Sequence, residues 1–152
     1  MKIILVRHGQ AEDETRPDSA RQLTEFGQQQ AAQTAEYVTS HYHPDRFIVS
    51  PYERAQQTLA EFQSRASEVP VTIQDNITPS DEARKALVDL ANVEAECIVV
   101  VCHMSIIAHL AGLLTGEYPE SFSLAEARVL EMDFVMSGMA SEIDRFVPDQ
   151  PY

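Results

Sequence analysis

Basic charge is scarce in this chain of 152 residues, where 11 lysines and arginines stand against 24 aspartates and glutamates for a formal net charge of −13. So acidic a balance argues against nucleic acid or an anionic membrane surface as a partner. Lysine is reduced to Lys2 and Lys85, so almost all the positive charge is guanidinium. Cysteine is limited to Cys97 and Cys102, five positions apart on an apolar run that reads as a strand. Their side chains then point to opposite faces and cannot bond each other, which leaves two buried thiols suited to a reducing, cytoplasmic setting. Long hydrophobic runs are missing as well. The apolar stretch before Arg7 is shorter than a signal-peptide core of about 7–15 residues or a spanning helix of about 20, so no targeting or membrane segment is expected. No glycine-rich turn follows the first strand, which excludes the usual dinucleotide site.

With 44% hydrophobic residues and no internal repeat or linker, the chain reads as one domain over residues 1–152. A chain of roughly 150 residues buries about 70% of its unfolded surface, enough for one core. Apolar runs alternate with helical patterns throughout, the signature of βαβ units. The fold class expected is α/β, a three-layer α/β/α sandwich with a mostly parallel sheet and an antiparallel edge. Strands are expected at Ile3–Val6, Phe47–Val49, Val71–Ile73 and Cys97–Cys102. Thr24 is placed to cap a helix whose Ala31, Ala35, Val38 and Tyr42 share one face and whose end lies near His41 to Pro44. A helix from about Ser80 turns Ala83, Leu87 and Leu90 inward, and an almost wholly apolar helix from Met104 to Leu114 stops at Gly116. Arg128–Phe134 and Glu142–Val147 read as an antiparallel ribbon across Ser137-Gly138, with a frayed tail after Pro148.

Chemistry gathers at three strand ends. The first strand exits into Arg7-His8-Gly9, the second into Ser50-Pro51-Tyr52-Glu53-Arg54, and the fourth into His103. Open α/β sheets bind ligands at the carboxyl ends of their strands, so two imidazoles and two guanidiniums should converge on one edge. Five of the nine arginines lie within the first 54 residues, and paired guanidinium donors match phosphate oxygens. Ser50, Pro51 and Glu53 together form a capping-box pattern, which makes Ser50 a helix cap on its simplest reading. Arg54 in the first turn opposes the helix dipole by about 0.3–1 kcal/mol, a misfit that a bound anion reverses. Simpler readings exist for each residue. Arg54 could pair with Glu53 or Glu61, Arg21 with Asp18 or Glu25, and Arg16, His41, His43 and His109 read as solvated or packed side chains. A zinc site from His8, Cys102 and His103 fits no ligand spacing and would set arginines beside a cation, so neither metal nor cofactor is expected.

Arg7-His8-Gly9, Ser50-Pro51-Tyr52-Glu53-Arg54-Ala55-Gln56-Gln57-Thr58 and His103, in this order, resemble the histidine phosphatase superfamily. The short chain, the segment Asp18-Ser19-Ala20-Arg21-Gln22-Leu23-Thr24-Glu25-Phe26-Gly27 and the Thr78-Pro79 turn are similar, more narrowly, to the SixA-type protein phosphohistidine phosphatases. That resemblance implies a phosphoglycerate mutase-like fold and a phosphatase with His8 as nucleophile. It also implies a Gly9 backbone carbonyl that holds the other ring nitrogen, Arg7 and Arg54 around the phosphoryl oxygens, and His103 as a further donor. Arg21 and Ser50 are candidate additional contacts to substrate or phosphate. The partner implied is a histidine-phosphorylated protein, a phosphotransfer domain or carrier; a small-molecule phosphomonoesterase and a non-catalytic phosphate-binding module are the alternatives. One departure bears on that choice. Many relatives place a proton-donating acid after the third strand, but Asp75-Asn76-Ile77-Thr78-Pro79 holds no glutamate, and either Asp75 or Asp81 would have to serve. An imidazole leaving group needs less protonation than an alkoxide, which favours a phosphoramidate substrate.

Overall fold

Apolar residues on successive positions of the strands send their side chains alternately to two faces, and both faces are covered. The computed structural model describes residues 1–14 and 16–151. Its elements are β1 (Lys2–Arg7), α1 (Glu25–His41), β2 (Arg46–Val49), α2 (Glu53–Gln63), β3 (Val71–Ile73), α3 (Ala83–Ala91), β4 (Cys97–Cys102), α4 (Ile106–Thr115), β5 (Ala127–Glu131) and β6 (Ser141–Phe146). The strands form one six-stranded sheet in the order β3-β2-β4-β1-β5-β6. β3, β2, β4 and β1 pair in parallel, whereas β5 and β6 add antiparallel to the β1 side. The fold is the expected three-layer sandwich, a mostly parallel sheet with an antiparallel edge.

The period of two in the strands explains the layers. Ile3 and Leu5 of β1, Ile48 of β2 and Ile98 and Val100 of β4 join one buried cluster with Leu87 and Leu90 of α3 and Ile106, Ile107 and Leu110 of α4. Their neighbours Ile4, Val6, Phe47, Val49, Val99 and Val101 join a second cluster with Ala35 and Val38 of α1 and Ala55, Leu59 and Phe62 of α2. Cys97 falls in the second cluster and Cys102 in the first, both as free thiols. Burial pushes their thiol pKa values up to about 11 and about 12 respectively, so both are inert as nucleophiles.

This layering creates the crevice. β1 and β4 are adjacent, yet β1 leads to α1 on one face and β4 to α4 on the other, so the chain leaves the two strand ends in opposite directions. Helix ends follow local chemistry. Thr24 caps α1 with its hydroxyl accepting from Gly27 N–H at 3.0 Å, and Gly116 ends α4 at φ 75°, a conformation that suits a residue without Cβ. Three local expectations are corrected. α3 begins at Ala83 because the Asp81 carboxylate is spent on the Thr78 N–H and hydroxyl, a turn ahead of the helix. α4 begins at Ile106, and the described part of the tail is anchored, since the Asp149 N–H and carbonyl bond the Gln33 and Gln30 side chains of α1 at 2.9 and 2.8 Å. No helix among the described residues is long and apolar enough to cross a membrane.

Candidate active site

β1 and β4 run in register from Lys2↔Cys97 to Arg7↔Cys102, so the residues just past each end, His8 and His103, become neighbours. Their ring centroids lie 5.1 Å apart with the planes tilted by 57°. The main chain fixes His8 on both sides: its N–H bonds the Cys102 carbonyl at 3.1 Å and its carbonyl accepts from Ala125 N–H at 3.0 Å. Ala125 holds φ 55°, a conformation that is strained for a residue with a Cβ and that aims its N–H at this carbonyl.

The His8 ring is oriented by its neighbour in sequence. Nδ1 lies 2.7 Å from the Gly9 carbonyl, an acceptor only, so Nδ1 carries the proton and Nε2 the lone pair. Gly9 needs to be glycine because a Cβ would stand 2.5 Å from the Gly27 carbonyl oxygen, and one on Gly27 would stand 2.1 Å from that of Gln10. Thr58 of α2 completes the clasp, its hydroxyl accepting from Gly9 N–H at 3.1 Å and donating to the Arg54 carbonyl at 2.9 Å. Burial, with Arg54, Arg7 and Arg21 nearby, lowers the His8 pKa to about 3 against the raising effect of the Gly9 bond. The imidazole is therefore neutral, with a free lone pair at Nε2, across the physiological range.

Arg54 reaches this nitrogen. It projects from the first turn of α2, 4% exposed, and its Nε donates to His8 Nε2 at 3.3 Å. Nη1 donates to the Asp18 carbonyl at 2.6 Å and Nη2 to Asp18 Oδ2 at 3.3 Å. Tyr52 lies beside both groups, its ring centroid 5.1 Å from the Arg54 guanidinium carbon and 5.2 Å from the His103 ring.

His103 is 1% exposed, and its Nε2 lies 2.7 Å from Ser50 Oγ. Here the capping-box expectation is corrected: α2 starts at Glu53 after Tyr52, and no side chain caps it. Ser50 instead accepts from Tyr52 N–H at 3.2 Å and turns its hydroxyl to His103. When that hydroxyl donates to Nε2, the ring proton sits on Nδ1, which is buried with no hydrogen-bond partner among the described residues. Burial, His8 and the two arginines depress the His103 pKa to about 2, so this ring too is neutral.

Arg7 ends β1 with Nη1 on the Phe122 carbonyl at 2.7 Å, while its buried Nε has no partner among the described residues. A buried pair invisible to the sequence motifs holds that carbonyl. Arg128 of β5 pairs with Glu126 through Nε, donates to the Glu120 and Ser121 carbonyls at 3.0 and 2.6 Å, and lies 3.7 Å over the Phe122 ring. Glu126 Oε1 in turn accepts from Ser123 N–H at 2.8 Å, so residues 120–126 are clamped from within. In the sequence, Arg128 stands among the apolar residues Ala127, Val129 and Leu130.

Arg21 stands at the rim, bonded to Asp18 Oδ1 at 2.9 Å and to the Glu12 carbonyl at 3.0 Å. Asp75 is exposed beyond β3, and Asp81 is tied to Thr78, so neither carboxylate joins the cluster. A separate cavity between α3 and α4, lined by Asp81, Arg84, His109 and Leu113 among others, contains none of the converging residues.

The crevice thus holds a neutral imidazole with a directed lone pair, a second neutral imidazole, the Arg54 guanidinium and an Arg7 guanidinium whose Nε lacks an acceptor among the described residues: a site for an oxyanion next to a nucleophile. A protein with this sheet and these strand ends is a phosphate-handling α/β protein. The family model described as histidine phosphatase superfamily (branch 1) matches residues 3–78, and the chain belongs to that superfamily. Among its relatives, the phosphohistidine phosphatase SixA homolog of Haemophilus influenzae is 31% identical over 156 residues, covering 94% of this chain and 93% of that protein. Phosphohistidine phosphatase SixA of Escherichia coli is 28% identical over 144 residues, with 88% and 86% covered. In structure, the protein histidine phosphatase SixA complexed with tungstate superposes with a TM-score of 0.84 at 24% identity, over 97% of each chain.

Proposed function

We propose that this protein is a phosphohistidine phosphatase that removes N-linked phosphate from a histidine of a partner protein, a phosphotransfer domain or carrier. His8 Nε2 attacks phosphorus, the P–N bond to the partner's imidazole breaks, and the phosphoryl group rests on His8. Water then attacks phosphorus, the bond to Nε2 breaks, and inorganic phosphate leaves with the proton balance made up by solvent. The observation that carries this reading is the His8 ring itself: Nδ1 anchored on the Gly9 carbonyl at 2.7 Å, and Nε2 unprotonated and facing a guanidinium N–H.

The roles around it follow from unmet donors. A phosphoryl group at His8 gives the buried Arg7 Nε and His103 Nδ1 the acceptors they lack, and Arg54 Nε turns from the ring nitrogen to a non-bridging oxygen as the new bond forms. Ser50 keeps His103 in the donating tautomer, and Arg21 extends the positive rim. The protein relatives named phosphohistidine phosphatases support the substrate class. So does the placement of Asp75 and Asp81 outside the cluster, since an imidazole leaves without the acid an alkoxide requires.

The test offers a histidine-phosphorylated carrier protein, a small phosphoramidate and a panel of phosphate esters to wild type and His8→Ala. We expect wild type to prefer the N-phosphorylated substrates, and His8→Ala to lose at least about 10³-fold in turnover and to form no acid-labile phosphoenzyme. Faster turnover of esters would make it a phosphomonoesterase. Tight phosphate binding without turnover would make it a binding module.

A further inference from the structure

The loop between β1 and α1 places a carboxylate where a phosphoryl oxygen belongs. Arg54 Nε aims at His8 Nε2 and Nη2 at Asp18 Oδ2, each at 3.3 Å. These two N–H groups lie on one edge of the planar guanidinium, the edge that grips two oxygens of a phosphate as a fork. One prong faces the attacking nitrogen. The other is already taken by Asp18, whose second oxygen accepts from Arg21 Nη1 at 2.9 Å. Burial pushes the Asp18 carboxyl up, but Arg21 and Arg54 outweigh it and hold the group below its ordinary value, so it is an anion at neutral pH.

Resting on the phosphatase reading, we propose that Asp18 is a specificity-determining residue, an internal stand-in on the Arg54 fork that an incoming phosphoryl group must displace. The two partners differ in freedom. The Arg54 side chain is 5% exposed and held at all three nitrogens, whereas the Asp18 side chain is 49% exposed on a short turn, so displacement moves the carboxylate and leaves the guanidinium in place. Arg21 keeps its hold on Oδ1 as Oδ2 swings away. A singly charged ligand gains little by replacing one carboxylate with another anion of equal charge, while a phosphoryl dianion brings extra charge to Arg7, Arg54 and Arg21. After hydrolysis the same carboxylate competes with inorganic phosphate for the fork and speeds its release.

Asp18→Asn keeps the side-chain shape and the backbone carbonyl on Nη1 while removing the charge; Asp18→Ala removes the group altogether. Binding of inorganic phosphate to the full chain at pH 7.5, by calorimetry, is expected to tighten about tenfold in both variants, the half-exposure of Asp18 keeping the change from being larger. Product inhibition by phosphate should deepen by the same factor, and melting curves should match wild type. Equal or weaker phosphate binding in both variants overturns the proposal and makes Asp18 a mere brace for Arg54. No phosphate binding by wild type or variant overturns the phosphatase reading, and this inference with it.

Discussion

The floor of the crevice and the strap over it are built by different forces. On the floor, His8, Ser50, Arg54 and His103 are almost fully buried, and their geometry is set by strand register, main-chain hydrogen bonds and the interlocked glycines Gly9 and Gly27. The side chains of the described part of the strap, around Glu12, Arg16, Asp18 and Arg21, are tied to one another by ion pairs whose members are 21–51% exposed, beside main-chain bonds at Glu12 and Asp18. Buried, directional contacts fix one geometry and penalise any other; exposed ion pairs contribute roughly 0–1 kcal/mol and exchange readily. A nucleophile needs the first kind of support, and a segment that yields to a ligand needs the second.

The sharpest way to break the floor without touching it is Arg128→Met. This strips buried Glu126 of its close partner, leaving it the Ser123 N–H and the more distant Arg145 Nε at 3.7 Å, and frees the Glu120 and Ser121 carbonyls that clamp the segment under Arg7. Losing one partner of a buried pair costs about 3–5 kcal/mol, and chemical denaturation should show a loss of that size. In whatever fraction stays folded, the Phe122 carbonyl no longer holds Arg7 Nη1, so KM for the phosphorylated substrate should rise more than kcat falls. Full stability in Arg128→Met would remove the buried pair from the description of the floor.

The legibility of the two regions in the sequence differs for the same reason. Floor residues follow directly on apolar strands, so the position of His8, Arg54 and His103 could be read from local pattern once a parallel sheet was assumed; so could the Thr24 cap and the Gly116 stop. At Ser50 the Ser-Pro-x-Glu pattern satisfies a local capping rule, whereas the hydroxyl is claimed by His103, 53 residues away. Asp18 on Arg54, Gly27 against Gln10 and Asp149 on α1 are likewise contacts that exist only after the layers have packed. Arg128 is less legible still, a charge at a strand position that its neighbours bury, and nothing local names its partners.

Acid distinguishes the regions next. His8 and His103 have folded pKa values near 3 and 2 against an ordinary 6.5, so between about pH 6.5 and 3 the unfolded chain binds protons that the folded chain refuses. Stability from these two groups is complete above pH 6.5 and is lost as pH falls through that window, by about 1.4 kcal/mol per unit for each histidine. Unfolding in urea at pH 7 and 5.5 should differ by about 2 kcal/mol, and the double variant His8→Asn, His103→Asn should flatten most of that difference. Carboxylates such as Asp18 and Glu12 are held below their ordinary values and act lower in the range, so a wild-type profile flat down to pH 5 would mean that the floor admits a charged imidazole.

The smallest effect belongs to the outer strap. Arg16 donates to Glu12 Oε1 at 2.6 Å, a short contact, yet its side chain is 51% exposed and water competes for both partners. Glu12 is held independently, its N–H on the Gln22 carbonyl at 2.9 Å and its own carbonyl on Arg21 Nε at 3.0 Å. Removing the Arg16 charge therefore leaves the segment's course and the Asp18 carboxylate unchanged. Arg16→Gln should shift stability by less than about 0.5 kcal/mol and phosphate affinity by less than about twofold, with the remaining change disappearing in high salt. A larger loss of affinity, persisting in salt, would mean that the strap closes over the ligand as a unit instead of yielding at Asp18 alone, and the contrast between a fixed floor and a yielding cover would have to be drawn at Arg21 instead.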